Sequence, residues 1–395
     1  YILSSTPKLE DLIITNNIAT NNGGGIRAYG NGSPIFNRIN FIENQAGNQG
    51  GGMYLYYSDP VIFDCNFENN LNVANSGYGP SIAIYAYESN ISISNSSFKN
   101  HNWIGTSNDV LLNFENCVLN FSNIAICNNN SMLLKISSNS TCNLDNMLIS
   151  NNSGPWRMIL ASSFCDVNMS KSTIVDNDYY SMIVVHHDSH FKIENSIIWN
   201  NTSYLSEYSN GTPSSYEISY SNIFGGQSSV STNDGIVNWL SGNIDTDPLF
   251  NDSPNNNNNY SLQSTSPCID TGDPNSNLDP DGTIADMGYN HYLLETIYGC
   301  TDSQAINYNS EANFDNNTCQ ENPCDITPIG LYVDNVIHNR IRFNWSASDA
   351  PPSHYMIRYR EVGTNNWTVI AAGPQTLSPF NGTSRTRYFM EPETT

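Results

Sequence analysis

The segment Met182–Asn200 reads M-I-V-V-H-H-D-S-H-F-K-I-E-N-S-I-I-W-N. It holds three short apolar runs, M-I-V-V, F-K-I-E and S-I-I-W, separated by polar turn residues. Short runs of this kind predict β-strands rather than helices. A unit this short has no room for the crossover helix that joins parallel strands in a βαβ repeat. The segment therefore predicts one coil built from three strands.

The phrase that closes this segment, an apolar residue followed by any residue and then asparagine, recurs along the first half of the chain. The eight asparagines are Asn16, Asn44, Asn69, Asn100, Asn128, Asn151, Asn177 and Asn200. They are separated by 28, 25, 31, 28, 23, 26 and 23 residues. Eight occurrences in the same phase predict an internal structural repeat.

The strand-like runs repeat together with the asparagines. Runs comparable to M-I-V-V begin at Ile26, Met53, Ile82, Val110, Met132 and Met158. The second runs align Ile62, Ile93, Phe121, Leu144, Met169 and Ile193 in one column. Three strands per coil, stacked in parallel about 4.8 Å apart, form a β-helix in which equivalent residues lie over one another. We therefore predict an all-β fold with an apolar interior and the eight asparagines hydrogen-bonded in a structural ladder.

Residues 1–298 resemble the right-handed parallel β-helix repeat proteins of the pectate-lyase-like superfold, as found in secreted and surface proteins of Bacteroidetes-type bacteria. The closing segment, which begins at Asp245 and ends this domain, carries the more specific part of the resemblance. Its motifs are D-T-D-P-L-F from Asp245, S-P-C-I-D-T-G-D-P from Ser266 and L-D-P-D-G-T-I-A-D-M-G from Leu278. The resemblance implies the fold and an extracellular or cell-surface location, but not whether the protein is an enzyme or an adhesin.

Two further modules follow. Residues 299–324 resemble a short Cys-bracketed loop repeat of large extracellular bacterial proteins, which implies a disulfide between Cys300 and Cys319. Residues 325–395 resemble a fibronectin type III domain, with strands at R-I-R-F-N-W (residues 340–345) and H-Y-M-I-R-Y-R (residues 354–360) and core aromatics at Trp345 and Trp367. A complete domain of this type needs about 100 residues, so we expect it to be truncated and to lack its last two strands.

The composition excludes several classes of partner. Among 395 residues, 14 are Lys or Arg and 37 are Asp or Glu, a formal net charge of −23. Nucleic acids and anionic membranes are bound by clustered cationic side chains, so neither is expected as a partner. No stretch of the sequence reaches the 18 or so apolar residues of a membrane-spanning helix. We therefore expect no membrane insertion.

The closing segment carries carboxylate and amide side chains at short intervals, which are the ligands that Ca²⁺ prefers. The candidate ligands are Asp273, Asn275, Asn277, Asp279, Asp281 and Asp286. The run N-L-D-P-D-G resembles the first half of an EF-type loop, although Gly288 stands where that loop has its bidentate glutamate. The segment therefore predicts either a structural Ca²⁺ site or a solvated acidic turn with Asx caps.

A cluster of histidines lies in V-V-H-H-D-S-H-F, where His186, Asp188 and His190 alternate. On a continuous strand these three side chains would share one face and could form a metal site or an acid–base pair. The repeat instead places a turn at Asp188–Ser189. The alternative interpretation is therefore a group of exposed turn histidines.

Tyrosines are concentrated in the first runs of successive coils. Tyr29, Tyr56 and Tyr85 are predicted to fall in one outward column, with Tyr54, Tyr57 and Tyr87 beside them. Aromatic rings stack on sugar rings, so we take Tyr29, Tyr54, Tyr56 and Tyr85 as candidate glycan-binding residues. A tyrosine ladder that only stacks on itself and protects the sheet is the alternative.

No catalytic group can be assigned from the sequence. Enzymes on the fold that this chain resembles act on polysaccharides with clustered carboxylates and basic residues on one outer face. The basic residues here are scattered singly: Arg27, Arg38, Lys99, Lys135, Arg157, Lys171 and Lys192. The cysteines Cys117, Cys142 and Cys165 alternate into the predicted core as free thiols.

The sequence as a whole favours an extracellular or cell-surface adhesion or glycan-binding protein. Its β-helix flank would bind a polysaccharide or cell-surface glycan. Two alternatives stay open at this point. One is a polysaccharide lyase or glycoside hydrolase on the same scaffold, and the other is a purely structural stalk or spacer.

Overall fold

The structure is a computed structural model, and it describes residues 1–73, 80–102, 109–203, 205–208, 213–251, 260–292, 297–303, 305, 307–312 and 314–320. Beyond these it describes the backbone of five strands between Tyr332 and Tyr388. The chain divides into two compact units, Tyr1–Leu294 and Glu295–Thr395. Among the residues so described, none forms a helix that is long and apolar enough to cross a membrane.

The first unit is an all-β parallel solenoid of about nine turns. One side of each coil contributes a strand to a ten-stranded parallel sheet, which we call sheet 1. Its strands, in spatial order, are Ile2–Leu3, Ile26–Gly32, Met53–Ser58, Ser81–Tyr87, Val110–Glu115, Met132–Ser137, Ser153–Ser162, Asp178–His186, Leu205–Tyr208 and Val230–Thr232.

The remainder of each coil contributes to a second parallel sheet of sixteen strands, sheet 2. Its main path runs through Lys8–Glu10, Ile35–Asn37, Val61–Phe63, Asn90–Lys99, Val118–Cys127, Thr141–Ser150, Asp166–Ser170, His190–Glu194, Ser215–Ser219 and Ile236–Trp239. Its other strands are Ile13–Thr15, Asn40–Ile42, Asn66–Glu68, Thr173–Val175, Ile197–Trp199 and Asn222–Ile223. In three central coils the second and third runs join into a single ten-residue strand.

Two smaller elements complete the described part of the solenoid. Ile18–Ala19, Gln45–Ala46 and Leu71–Asn72 form a short third sheet, sheet 3. Gly226–Ser229 forms one turn of 3₁₀ helix near the last coil.

The predicted apolar column is confirmed by strand pairing. Ile62 pairs with Ile93, Ile93 with Phe121, and the pairing continues through Leu144 and Met169 to Ile193. Each of these side chains is at most 2% exposed. Side chains on a strand alternate between its two faces. Every second residue of these strands therefore points inward, and these inward residues are apolar.

A column of polar side chains runs along one corner of the coils. Most of its members lie one residue later in the sequence than the asparagines that we predicted for it. Each residue of this column except the last donates a side-chain N–H to its counterpart one coil further along, an amide N–H in the asparagines and a ring N–H in His101. We call this set the amide column, and its members are Asn17, Asn44, Asn70, His101, Asn129, Asn152, Asn177 and Asn201.

Only Asn44 and Asn177 of the eight predicted ladder residues belong to the amide column. The other six directly precede a column member and have left-handed backbone conformations with φ between 51° and 60°: Asn16, Asn69, Asn100, Asn128, Asn151 and Asn200. Asparagine tolerates this conformation better than other non-glycine residues. The recurring phrase therefore marks the turn, and the residue after it points inward and makes the ladder.

Serine side chains accept backbone N–H groups at other corners. Ser89 Oγ, for example, accepts a hydrogen bond from the backbone N–H of Ser58, and Ser140 Oγ accepts one from Cys117. Cys117, Cys142 and Cys165 are free and buried, as predicted. Buried backbone N–H groups at the turns thus find side-chain acceptors one coil away, which removes the penalty of leaving them unpaired.

The closing segment does not extend the coil but folds back along the outside of it. Tyr260 Oη donates to Asp176 and accepts from Asn151, while Tyr289 Oη donates to Asn123. Leu262, Cys268 and Met287 of this segment pack with Ile197 of sheet 2 in a second, smaller hydrophobic cluster. An outward-facing part of sheet 2 is therefore covered by the chain itself.

In the second unit, Tyr298–Gly299 pairs with Phe314–Asp315. The predicted disulfide between Cys300 and Cys319 is present. Further along, antiparallel pairing joins Tyr332–Ile337, Arg340–Trp345 and Thr383–Tyr388 in one sheet, and Tyr355–Tyr359 with Thr368–Ala372 in another. Of the strands expected at residues 340–345 and 354–360, Arg340–Trp345 and Tyr355–Tyr359 are observed in the backbone. His354, Arg360 and Trp367 lie outside the described residues.

Candidate functional site

Six tyrosines lie together on sheet 1, on three consecutive coils, and we call them the tyrosine face. They are Tyr29, Tyr54, Tyr56, Tyr57, Tyr85 and Tyr87. Strand pairing sets Tyr29, Tyr56 and Tyr87 in one column, and Tyr54 and Tyr85 in the neighbouring one. The expected column of Tyr29, Tyr56 and Tyr85 is therefore wrong at its last member, which lies two positions along the strand.

The rings of the tyrosine face stack on one another along the solenoid axis. Tyr56 lies with its ring centroid 5.1 Å from those of both Tyr29 and Tyr87, at interplanar angles of 1° and 18°. Tyr54 and Tyr85 stack in the same way at 5.3 Å. The ring of Tyr56, in the middle of its stack, therefore has both faces covered. The ends and the rim stay accessible, since Tyr29 is 40% and Tyr57 is 37% exposed whereas Tyr54 is only 9% exposed.

Several hydroxyl groups of this face have raised pKa values. A side-chain hydrogen bond with Glu88 raises the pKa of Tyr57 to about 12, and the same carboxylate raises the pKa of Tyr87. Burial raises the pKa of Tyr54. The Arg27 guanidinium lies 5.7 Å from the centroid of the Tyr54 ring, within the range of a cation–π contact. Tyr54, Tyr57 and Tyr87 thus keep O–H groups that can both donate and accept hydrogen bonds.

The histidine cluster is divided by a turn. His186 ends a strand of sheet 1 and His190 begins a strand of sheet 2, while His187 and Asp188 between them adopt left-handed conformations. Burial lowers the pKa of His186 to about 4, and the exposed His190 ring lies 2.5 Å from Ser215 Oγ. His186, Asp188 and His190 therefore do not share one strand face, which supports the interpretation as turn residues.

The acidic side chains of the closing segment are occupied by the chain's own backbone. Asp286 accepts N–H groups from Asp270 at 2.7 Å and from Tyr292 at 2.6 Å, and Asp279 accepts the N–H of Asp286 at 2.7 Å. Asp279 also lies 3.6 Å from Lys171 Nζ. Asp279 and Asp286 are 7% and 3% exposed, so both carboxylates hold the closing segment together from within, and Asp279 also ties it to Lys171 of the solenoid.

The remaining candidate ligands form local turns. Asp273 accepts the N–H of Asn275, and Asp281 accepts the N–H and hydroxyl of Thr283. Within the part of the chain that the structure describes, no three His, Cys, Asp or Glu side chains are grouped so that they could hold a metal ion. The observed arrangement fits Asx-capped turns better than a cation site, and calcium here stays a prediction.

A second aromatic group, which sequence reasoning missed, lies on later coils. Gly154 pairs with Tyr179 and Arg157 with Ser181, so that Pro155 and Trp156 together oppose the single residue Tyr180. This is a β-bulge, a feature that often re-aims side chains at binding sites. Trp156 is 53% and Tyr180 is 75% exposed. The sequence signal is the dipeptide Pro-Trp inside a strand, because proline is found in strands mainly at edges and bulges.

An open cavity of about 610 Å³ lies beside the bulge. Its lining includes Asn130, Ser153, Pro155, Asp178, Tyr180 and Thr202. We call this cavity, with the adjoining Trp156, the bulge site. It combines exposed rings with a carboxylate, an amide and hydroxyl groups.

The chain matches no family model, no curated protein and no solved structure. What can be said of its function therefore follows from its own residues.

Proposed function

We propose that the protein is a glycan-binding adhesion protein whose solenoid flank holds a polysaccharide or cell-surface glycan. The tyrosine face is the observation that carries this proposal. Three consecutive coils present aromatic hydroxyl groups on one flank, while the closing segment covers a different part of the surface. An elongated flank of this kind suits a chain of sugar residues.

The stacking of the rings supports binding through their rim and ends. Tyrosine provides a large and rigid contact surface at a low cost in conformational entropy. Neighbouring rings that already hold each other in place lose little further freedom when a ligand binds. Sugar hydroxyls can pair with the neutral phenolic groups, and an apolar sugar face can lie on the exposed rings of Tyr29 and Tyr57.

The charge of the chain favours a neutral glycan. A net charge of −23 repels polyanions at long range. Arg27 is the basic side chain that contacts the tyrosine face, through Tyr54. We therefore propose uncharged polysaccharides as the ligand class, with acidic ones as weaker binders.

Affinity electrophoresis of the full chain in gels that contain β-glucan, mannan, xylan or polygalacturonate tests this proposal. We expect at least one neutral polysaccharide to retard the protein without release of reducing ends. The double variant Tyr29→Ala/Tyr57→Ala should bind about tenfold more weakly, because exposed aromatic anchors contribute about 1–2 kcal/mol. Phe164→Ala is the matched control, since Phe164 is 59% exposed but lies away from this face.

The alternative of a structural spacer is favoured by one observation, the near-complete burial of Tyr54 between stacked neighbours. A spacer would be retarded by none of the four polysaccharides. Retardation accompanied by new reducing ends or unsaturated products would instead establish a polysaccharide-degrading enzyme.

We further propose the finer features of the fold. These are a right-handed coil with three strands per turn, of the type found in secreted and surface proteins of Bacteroidetes-type bacteria, and fibronectin type III character in residues 325–395. The split of the five C-terminal strands into a three-stranded and a two-stranded antiparallel sheet supports the latter. The Cys300–Cys319 disulfide supports an extracellular location, since disulfides persist in oxidising compartments.

A further inference from the structure

The bulge site lies on later coils than the tyrosine face and differs from it in chemistry. Trp156 and Tyr180 are the exposed aromatic side chains at this bulge, and neither ring contacts another aromatic ring among the residues that the structure describes. Trp156 is 53% and Tyr180 is 75% exposed, whereas Tyr56 is stacked between two rings. A free aromatic face on a solvated surface is the feature that stacks against the apolar face of a sugar ring.

The bulge is held by a defined packing arrangement beneath it. The Tyr179 side chain is 4% exposed and its hydroxyl donates to the backbone oxygen of Ser131 at 2.7 Å. A Cβ at Gly154 would lie 2.6 Å from Cε1 of Tyr179, so the ring fills the space that any larger residue would need. Tyr179 thus supports the two paired strands, on neighbouring coils, that carry Trp156 and Tyr180.

Polar groups on one side of the cavity complete the site. Asp178 Oδ1 accepts the hydroxyl of Thr202 at 2.9 Å. Its second oxygen and the exposed side-chain amide of Asn130 have no hydrogen-bond partner within the described part of the chain. The carboxylate oxygen and the amide can form hydrogen bonds with the hydroxyl groups of a pyranose. The aromatic ring beside them can pack against its apolar face.

We infer that the bulge site binds a neutral sugar ring of a glycan, stacked on Trp156 and Tyr180 and hydrogen-bonded to Asp178 and Asn130. This inference rests on the proposed glycan-binding function and adds a second site to it. A cavity of about 610 Å³ has the size of a small-ligand site. The carboxylate of Asp178 selects against acidic sugars, and the wet, mixed lining selects against an apolar peptide.

The test measures binding of the full chain to soluble β-glucan, mannan and xylan by affinity electrophoresis, with oligosaccharides of the retained polymer titrated by calorimetry. Trp156→Ala and Tyr180→Ala should each lower the affinity at least tenfold, and Asp178→Asn should lower it about fivefold. Trp156→Phe keeps a ring face and should stay within threefold of the wild type. Thermal unfolding of each variant shows whether the solenoid is intact.

The two sites are separated by the double variant Tyr29→Ala/Tyr57→Ala. If that variant weakens binding while Trp156→Ala and Tyr180→Ala stay within twofold of the wild type, the bulge inference is overturned and the tyrosine face stands. If the reverse holds, the bulge site stands and the tyrosine face fails. Absence of binding to all three polysaccharides overturns both.

Discussion

His101 Nδ1 lies 3.0 Å from the side-chain oxygen of Asn129, in the middle of a column that is otherwise made of asparagines. That oxygen only accepts, so Nδ1 carries the proton and donates. On the other side, Nε2 lies 3.4 Å from the side-chain nitrogen of Asn70 and accepts from it. Neutral histidine therefore continues the donor-to-acceptor direction of the amide column, whereas a protonated ring would set two donors against each other.

The first prediction concerns pH. Complete burial lowers the pKa of His101 from 6.5 to about 4. Between pH 6.5 and 4, His101 therefore binds a proton in the unfolded chain but not in the folded one. The contribution of neutral His101 to the free energy of unfolding is complete above pH 6.5 and is lost as the pH falls toward 4. The loss from this residue is on the order of 3 kcal/mol. Urea unfolding at pH 7.5 and pH 4.5 measures it.

The readout is the difference between the wild type and His101→Asn, which we expect to lose less stability in acid. The difference is needed because Asp109 and Asp286 have pKa values raised to about 6 and act in the opposite direction. His190→Asn, at an exposed position, is the control. Equal acid sensitivity in all three proteins would contradict the role of His101.

The second prediction separates the amide column from the turn. Asn129 donates to Phe98, Cys127 and Asn152 and is 1% exposed. Asn129→Ala should lower the free energy of unfolding by on the order of 3 kcal/mol, because several buried groups lose their partners. Asn128→Gly, one residue earlier at φ 58°, should cost almost nothing, since glycine adopts that conformation freely. Denaturant unfolding of both variants decides, and the opposite order of stabilities would refute the assignment of the two positions.

The third prediction concerns the closing segment. Asp286→Ala removes the acceptor of two backbone N–H groups and should destabilise the protein by about 2 kcal/mol. The melting temperature should fall by the same amount in 5 mM EDTA as in about 5 mM Ca²⁺, because the bonds are made to the backbone and not to a cation. A wild-type melting temperature that rises with calcium and no longer does so in the variant would instead support the predicted Ca²⁺ site.

The fourth prediction concerns the thiols. Burial raises the pKa of Cys142 well above its ordinary value of 9.0, and Cys117 and Cys165 are buried as well. Thiolates are the reactive species, so iodoacetamide should leave these three unmodified in the native protein at pH 8. Mild reduction should expose Cys300 and Cys319 to alkylation without labelling the core, as peptide mass mapping would show. Rapid labelling of Cys142 before unfolding would contradict its placement.

Much of the solenoid could be predicted because its signal is repeated. The column from Ile62 to Ile193 follows from spacing alone, since each coil supplies the same pattern to the same interior. The ladder was displaced by one residue because most coils carry two adjacent polar residues, such as Asn128 and Asn129, that suit the turn and the interior equally. The two positions differ in residue type in three coils, at Glu43–Asn44, Asn100–His101 and Asp176–Asn177.

The position of Tyr85, the path of the closing segment and the bulge depend on tertiary contacts. These contacts cannot be predicted from the spacing of residues in the sequence. Ile84, and not Ile82, pairs with Met53, which sets Tyr87 rather than Tyr85 opposite Tyr56. A register of this kind is fixed by packing on the neighbouring strands. The return of the closing segment is equally hidden, since Tyr289 and Asn123 are 166 residues apart. The bulge at Trp156 is set by the pairing of two strands and by the ring of Tyr179 beneath them.

The one-way hydrogen bonding of the amide column also bears on how such a chain can change in length. Every interior member accepts a side-chain hydrogen bond from the previous coil and donates one to the next. A whole coil can therefore be removed or duplicated without leaving a donor or an acceptor unpaired. Each such event would alter the reach of the molecule by one step of about 4.8 Å. The solenoid can therefore lengthen or shorten in evolution by whole coils, while the hydrogen bonding in its interior stays the same.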